Sequence, residues 1–374
     1  MSRSVSLVIF EGGSISGQLE EDMRRVRQGI VLDQIVKAQG AGLERIILCT
    51  PYHSLREAAV ELGGPVEVLD PGVQEPFHFG RLLLEVVQAK QLSSVLYMGG
   101  AAAPLISVQE LRYLVDILKQ NEDVVVANNY YSADIIGFSS GAALEAISLP
   151  EIDNVLALAL VHEAGLRYVP LQRSLGLSFD VDTPSDVLIL AVHPDVGPHT
   201  QAAVESLKLD YTRYNAIKAL INDPHGELVL FGRIGGQLFE YLDAQTRCRI
   251  RLYSEERGMK ALGRDRRGEV TSLVGRLVEN LGYDGFFKFL GEICCGAVLD
   301  TRVLFEHFHW NLTQADRFAS DVGALDLISH PQLRAFTAAA YSAQIPVLLG
   351  GHSLVSGGMW ALIDASNREQ AYRA

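Results

Sequence analysis

Cysteine is scarce in this chain, and its spacing does not suit a metal. There are four in 374 residues: Cys49 and Cys248 stand alone, Cys294 and Cys295 are adjacent. Consecutive side chains diverge on a helix or a strand, so an adjacent pair is a poor chelator. In a reducing compartment all four read as small buried apolar residues. Long apolar runs are lacking too, and none reaches the length needed to span a bilayer. The first residues, Met1 to Ser4, run straight into a short apolar strand, Val5 to Phe10. A signal peptide needs a longer apolar stretch and a small-residue cleavage site, so a cytoplasmic protein is expected. Positive charge is in deficit: 32 Lys and Arg against 45 Asp and Glu give a net charge of −13. That argues against a broad nucleic-acid-binding face but leaves room for a local basic pocket around a phosphate.

What is present is ordinary globular material, 48% hydrophobic and 21% charged. The length suits two α/β domains. Short apolar runs alternate with helical spacing from the start. Val5 to Phe10, Arg45 to Thr50, Val66 to Leu69, Ser94 to Met98 and Val124 to Asn128 read as strands. Ile30 to Gln39, Leu55 to Leu62, Arg81 to Lys90 and Val108 to Asn121 read as helices between them. This rhythm predicts a mainly parallel sheet covered on both faces, with ligands at the carboxyl ends of its strands. Two prolines and a glycine between Pro194 and Thr200 mark the candidate linker. A second α/β series follows, so the expected domains are 1–195 and 201–374.

Four segments of the first half fall in a familiar order. Glu11-Gly12-Gly13-Ser14 leaves the first strand. Arg27-Gln28-Gly29-Ile30 precedes the first helix. Gly99-Gly100-Ala101-Ala102-Ala103-Pro104 leaves the middle strand. Asp180-Val181-Asp182-Thr183-Pro184-Ser185-Asp186 comes last, preceded by His162-Glu163-Ala164-Gly165-Leu166. Together they resemble the MobA-like nucleotidyltransferase superfamily, and within it 2-phospho-L-lactate guanylyltransferases, over residues 1 to about 195. The resemblance implies a Rossmann-like, GT-A-like nucleotidyltransferase domain followed by a second α/β domain. It implies that Gly12, Gly13, Ser14, Arg27, Gly99 and Gly100 hold a nucleotide, and that Asp180 and Asp182 bind Mg²⁺ and act as the catalytic carboxylates. A substrate phosphate or hydroxyl would then attack the α-phosphorus, with pyrophosphate leaving.

The residues themselves allow a plainer reading at this segment. Thr183 suits an N-cap, Pro184 the first helical position and Asp186 the first turn of a helix. The chain also departs from the family twice. The family reads Gly-Asp-x-Pro after the middle strand, whereas Gly99 to Pro104 has no carboxylate. The family's phosphate loop carries an Arg and a Lys, whereas here Glu20, Glu21 and Asp22 follow the glycines. Near the next strand, Tyr130-Tyr131-Ser132-Ala133-Asp134 reads either as contact with a second substrate or as a bland turn.

The second half resembles no family. Its basic run, Arg247, Arg249, Arg251, Arg257, Lys260, Arg264, Arg266 and Arg267, is interleaved with glycines. Arginine forks bind phosphates bidentately, so Arg257 and Arg264, with Asp300 and Arg302 after a buried strand, form a second candidate ligand set. Glu255 and Glu256 offer a structural alternative. Asp316, Arg317 and Asp321 share a helical face and suit ion pairing. Glu306-His307-Phe308-His309 lacks a nearby third metal ligand. Gly351-His352-Ser353-Leu354-Val355 imitates a hydrolase nucleophile elbow, but Val355 is too large for the bend and no His follows Ser353.

Two functions stay open. One is a nucleotidyltransferase acting on a nucleoside triphosphate and a small phosphorylated or hydroxylated acceptor. The other is a catalytically degenerate nucleotide- or anion-binding scaffold whose site lies in the C-terminal half. The expected partner is a nucleotide or another small anionic ligand, with no nucleic acid and no membrane, and a homo-oligomer left open.

Overall fold

A computed structural model describes residues 4–13, 15–72, 76–130 and 133–373. Ser14, Tyr131 and Ser132, named above, lie outside the described residues. The chain divides into two compact units that interleave along the sequence. The first takes residues 1–14, 26–178 and 197–203, and the second takes 15–25, 179–196 and 204–374.

The first unit is built on strands β1 (Val5–Phe10), β2 (Ile46–Cys49), β3 (Val66–Leu69), β4 (Ser94–Gly99), β5 (Val124–Ala127), β6 (Ile135–Phe138) and β7 (Arg167–Pro170), in the order β3-β2-β1-β4-β6-β5-β7. Neighbours from β3 to β4 are parallel; β6 is antiparallel to both β4 and β5; β7 is parallel to β5. The helices are α1 (Gln18–Gly40), of which residues 26–40 belong to this unit, α2 (His53–Glu61), α3 (Phe79–Ala89), α4 (Val108–Gln120) and α5 (Leu156–His162). Alternation along the strands sorts side chains to two buried layers. Leu7, Ile9, Ile46, Leu48, Leu96 and Met98 pack with α1, α2 and α4 through Ile35, Leu55 and Leu114. Val8, Ile47, Val95 and Tyr97 pack with α3 and α5 through Leu83, Val86 and Leu160. The expected α/β sheet covered on both faces is present. Strands β6 and β7 are additions to the strands read from the sequence.

The stretch expected as a linker is partly helical instead, over Pro198–Glu205. Its start is tied down inside the first unit. Asp33, buried on α1, accepts from the backbone of His199 at 3.1 Å and Thr200 at 2.9 Å, and from the Thr200 hydroxyl at 2.6 Å. Gly29 lies so close to this backbone that a Cβ would stand 2.8 Å from the His199 carbonyl oxygen.

The second unit holds β8 (Glu227–Gly232), β9 (Arg249–Ser254), β10 (Gly296–Asp300) and β11 (Val347–Gly350), all parallel, in the order β11-β10-β8-β9. Its helices include α6 (Pro184–Leu190), α7 (Gly236–Gln245), α8 (Leu273–Ile293), α9 (Thr301–His307), α10 (Gln314–Asp321), α11 (Pro331–Ser342) and α12 (Met359–Arg373). On one face Val229, Phe231, Ala297, Leu299 and Leu349 meet α8, α9 and α11. The helix Thr212–Ile221 covers the other face, where Gly296 leaves room for Ile217 and Leu220. Gly282, at a φ of 68°, ends the first part of α8. The cysteine expectation holds only in part. Cys49 and Cys294 are buried, whereas Cys248 is half-buried and Cys295 exposed, the neighbours 294 and 295 facing opposite ways.

Candidate functional site

In an open α/β sheet the carboxyl ends diverge where the strand order reverses, and a crevice opens there. The first sheet reverses between β1 and β4. Glu11 follows β1 and is 3% exposed. Its Oε2 accepts from Arg27 Nε at 3.2 Å and Nη2 at 3.0 Å, and Arg27 also donates to the Gly12 carbonyl at 3.3 Å. The Gly100 N–H donates to the Phe10 carbonyl at 2.9 Å. A Cβ on Gly100 would stand 2.0 Å from Glu11 Oε2, so the carboxylate occupies the space a side chain there would need. Gly12, Gly13, Gly99 and Gly100 thus lie at the carboxyl ends of β1 and β4, while Arg27 is engaged by Glu11. The sequence reading passed over Glu11, although an acid at a strand exit beside two glycines was visible. Further along, the Asn128 side chain accepts from the backbone of Asp134 at 3.1 Å and Ile135 at 3.2 Å, and so shapes the turn into β6.

The second sheet reverses between β8 and β10. Asp300 ends β10 with no exposed surface and caps α9, accepting from the Arg302 N–H at 3.3 Å. From the end of β8, Arg233 reaches it through Nε at 2.7 Å, Nη2 at 3.1 Å and its own backbone N–H at 3.3 Å. Burial raises the Asp300 carboxyl, but the Arg233 charge and hydrogen bonds outweigh it and hold the group below the usual carboxylate range. Gly232, at φ 133°, makes the approach of the strands feasible, since a Cβ there would stand 2.2 Å from Asp300 Cβ. Arg302 turns to Asp321 on α10, with both nitrogens 2.6 Å from the carboxylate oxygens. Burial lowers the guanidinium, yet Asp321 raises it above its ordinary value.

Around these two pairs stand side chains without such partners. Among the described residues, Lys260, Arg317, Asp182, Glu306 and His352 make no side-chain hydrogen bond or ion pair. Lys260 is exposed but lies within electrostatic range of Arg233, Asp182, Arg317 and Arg302, and desolvation by the surrounding protein, then the Arg233 charge, lowers its ammonium. Burial and the Arg302 charge likewise lower Arg317. His352 follows β11 and keeps a solvent-facing surface. Desolvation by the surrounding protein, then Arg233, pushes its imidazole down to about 4. Burial, then Asp265, raises Glu306.

The Asp180-Val181-Asp182-Thr183-Pro184 segment belongs to this second unit. The helix start is as expected: Asp186 Oδ2 accepts from the N–H groups of Asp182 at 3.1 Å and Thr183 at 2.8 Å and from the Thr183 hydroxyl at 2.8 Å. Asp186 Oδ1 is buried without a partner, and burial, then Asp182, pushes this carboxyl well above its ordinary range. The Asp180 carbonyl accepts from the Ser353 hydroxyl at 2.5 Å, so that serine faces a backbone oxygen rather than a base. Asp182 is exposed and close enough to Lys260 and His352 to influence both. Among the described residues no group of three His, Cys, Asp or Glu side chains is placed to hold a metal, Asp180, Asp182, His307 and His309 included. A magnesium ion at Asp182 would share its surroundings with Lys260 and would take its other ligands from water and a nucleotide's phosphates.

The basic run resolves into pairs. Arg249 and Arg251, on one face of edge strand β9, reach Glu227 at 3.1 and 3.2 Å. Arg264 is bidentate to Glu256 at 2.9 Å for each bond and donates to the Glu269 carbonyl at 2.8 Å. Arg267 binds Glu269. The glutamates at 256 and 269 therefore make this loop structural, and Arg264 is part of its fastening. Arg257 is exposed, and its Nη2 would stand 4.0 Å from a Cβ placed on Gly235. Thr313 caps α10, accepting from the Asp316 N–H at 3.0 Å and donating to the Asp316 carboxylate at 2.7 Å, while Asp321 leaves its helical neighbour Arg317 unpaired by turning to Arg302. Arg233 and Lys260 carry more of this constellation than Arg257 and Arg264. Arg233's only sequence signal was its position directly after a strand ending in glycine.

No family model matches this chain, and no curated protein matches it. Solved structures do resemble it. A nucleotidyl transferase from Methanothermobacter is 18% identical, spans 55% of this chain and 99% of its own, and has a TM-score of 0.39. A cytidylyltransferase from Leptospira borgpetersenii is 13% identical over 56% of this chain and 99% of its own, with a TM-score of 0.39. The 4-diphosphocytidyl-2C-methyl-D-erythritol synthase from Anaerococcus prevotii is 13% identical over 49% of this chain and 92% of its own, with a TM-score of 0.37.

Proposed function

We propose that this protein binds a small phosphate-bearing anion, a nucleotide being the first candidate, at the carboxyl edge of its second sheet. In this reading the first unit carries a nucleotidyltransferase-like fold without nucleotidyl transfer. One observation carries it: the strand-order reversal between β8 and β10 is floored by two fixed arginine–carboxylate pairs, Arg233 with Asp300 and Arg302 with Asp321. Guanidinium groups fixed at such a crevice, their side chains about 10% exposed, suit anion recognition. The corresponding crevice of the first unit contains the Glu11 carboxylate, which repels a triphosphate and occupies Arg27.

The competing reading is nucleotidyl transfer with Mg²⁺ on Asp180 and Asp182. It is supported by Gly12 and Gly13 at the carboxyl end of β1, at the reversal of the first sheet. A thermal-shift series with phosphate, GTP and CTP, each with Mg²⁺ or with EDTA, separates the two, because a ligand that binds the native state raises stability by mass action. Stabilisation that survives EDTA, with no pyrophosphate released, is expected. Stabilisation that requires Mg²⁺ and is accompanied by pyrophosphate release would overturn the proposal, as would a melting temperature unmoved by any of the anions.

A further inference from the structure

Between α8 and the end of α9 lies a cleft of about 390 Å³, the size of a small-molecule site. Val278 and Tyr283 of α8, with Phe308 and Trp310, wall it with apolar and aromatic surface. Two polar side chains, Glu279 and His307, share it. The His307 side chain is 3% exposed, and its Nε2 is buried without a hydrogen-bond partner. A buried donor left unmade costs about 1–3 kcal/mol. The ring is also held in place. Its Nδ1 accepts from the Ser272 N–H at 3.3 Å, and α8 presses so close that a Cβ on Gly275 would stand 2.0 Å from His307 Cδ2.

The bond from Ser272 decides what the free nitrogen can do. An Nδ1 that accepts leaves the proton on Nε2, so Nε2 is a donor and not a metal ligand. Glu279 Oε1 stands 3.7 Å from it, beyond hydrogen-bonding range, while Arg276 holds the other carboxylate oxygen at 2.7 Å. The carboxylate disfavours an anion in the cleft, and an ammonium group offers no acceptor to Nε2–H. A neutral molecule with an acceptor next to an N–H donor satisfies both groups. Side-chain amides read adenine in this way, with one donor and one acceptor aimed at a base edge.

We infer that this cleft binds an amino-substituted nitrogen heterocycle of the adenine or cytosine kind, its ring nitrogen accepting from His307 Nε2 and its amino group donating to Glu279 Oε1. The flat ring suits the aromatic walls. The Glu279 side chain, 42% exposed, swings outward to admit the base edge. The lining residues are none of those in the arginine–carboxylate pairs of the β8/β10 edge, so the inference stands apart from the anion site proposed above.

Trp310 lines the cleft and Trp360 is the other tryptophan of the chain, so in full-length Trp360→Phe protein the emission reports on this site. That protein is titrated with adenosine, cytidine and their counterparts that keep the ring acceptor but lack the amino group, purine riboside and pyrimidin-2-one riboside. At least one amino nucleoside should change the emission saturably and bind about tenfold or more tightly than its amino-free counterpart, as a lost hydrogen bond to a charged group predicts. Glu279→Ala should erase that preference while leaving the amino-free nucleoside within about threefold of its former affinity. His307→Phe should weaken both by about tenfold or more. A merely structural His307 would leave binding unmoved in the folded variant, and the exposed Glu279→Ala carries the test if His307→Phe does not fold. The inference is overturned if neither amino nucleoside binds, if the amino-free counterparts bind equally well, or if Glu279→Ala weakens both alike. Failure of the anions to raise the melting temperature bears on the functional proposal alone.

Discussion

Asp300→Ala isolates the contact that fixes the crevice. The substitution removes an acceptor of four hydrogen bonds, three of them from Arg233, and strips α9 of its cap. Arg233 is left with a side chain 10% exposed and no counter-charge. Breaking a buried pair by deleting one partner costs about 3–5 kcal/mol, because the remaining charge is stranded. For a unit of this size each kcal/mol lowers the melting temperature by about 2–4 °C, so a drop of about 10 °C is expected. Urea melts followed by tryptophan fluorescence suit the measurement, since Trp310 and Trp360, the two tryptophans of the chain, both lie in the second unit. The pair Arg233→Met with Asp300→Leu should recover most of the loss, as an apolar pair of similar bulk leaves no orphan charge. The cost should be flat between pH 5 and 8. With its folded pKa lowered, the Asp300 carboxylate contributes above the unfolded value of about 3.9 and loses that contribution only as pH falls further. A loss below about 1 kcal/mol, or no recovery in the double variant, would refute this account.

Two further outcomes follow from the same geometry. The His352 imidazole should titrate near 4 by NMR; because the unfolded histidine takes up its proton at about 6.5, native stability should fall as pH drops from 6.5 to 4, and His352→Gln should flatten that decline. In the first unit, Gly100→Ala should destabilise by about 1–3 kcal/mol through collision with the Glu11 carboxylate, and the added methyl should be tolerated better in a Glu11→Ala background, which a double-mutant cycle on denaturant midpoints would read.

Much of this architecture was legible because it is written in local patterns. The apolar runs of β1, β4 and β8, with the glycines at or just after their ends, and the run of β10 closed by Asp300 marked both sheet edges. Thr183, Pro184 and Asp186 announced a helix start within four residues. The pairings of the basic run were half visible, since Glu255 and Glu256 sit beside it. Long-range partners were not. Arg302 and Asp321 are 19 residues apart and Arg233 and Asp300 are 67 apart. No periodicity in one segment reports which carboxylate from another segment will meet it. The membership of residues 179–196 was hidden for a related reason. A motif identifies its own local shape, and the sheet it packs on depends on apolar residues far along the chain.

That interleaving bears on how the protein is made. Helix α6 buries Val187, Ile189 and Leu190, and its Ser185 hydroxyl donates to the Leu349 carbonyl of β11, 164 residues later. At a synthesis rate of about 5–20 residues per second, that partner emerges roughly 10–30 s after the helix. Through this interval an apolar surface waits in the open while the sheet that will cover it is still being translated. A fragment ending near residue 195 would carry the same surface permanently. The polypeptide therefore completes its second unit last and all at once, and the period before β11 arrives is when chaperone binding or aggregation should concentrate.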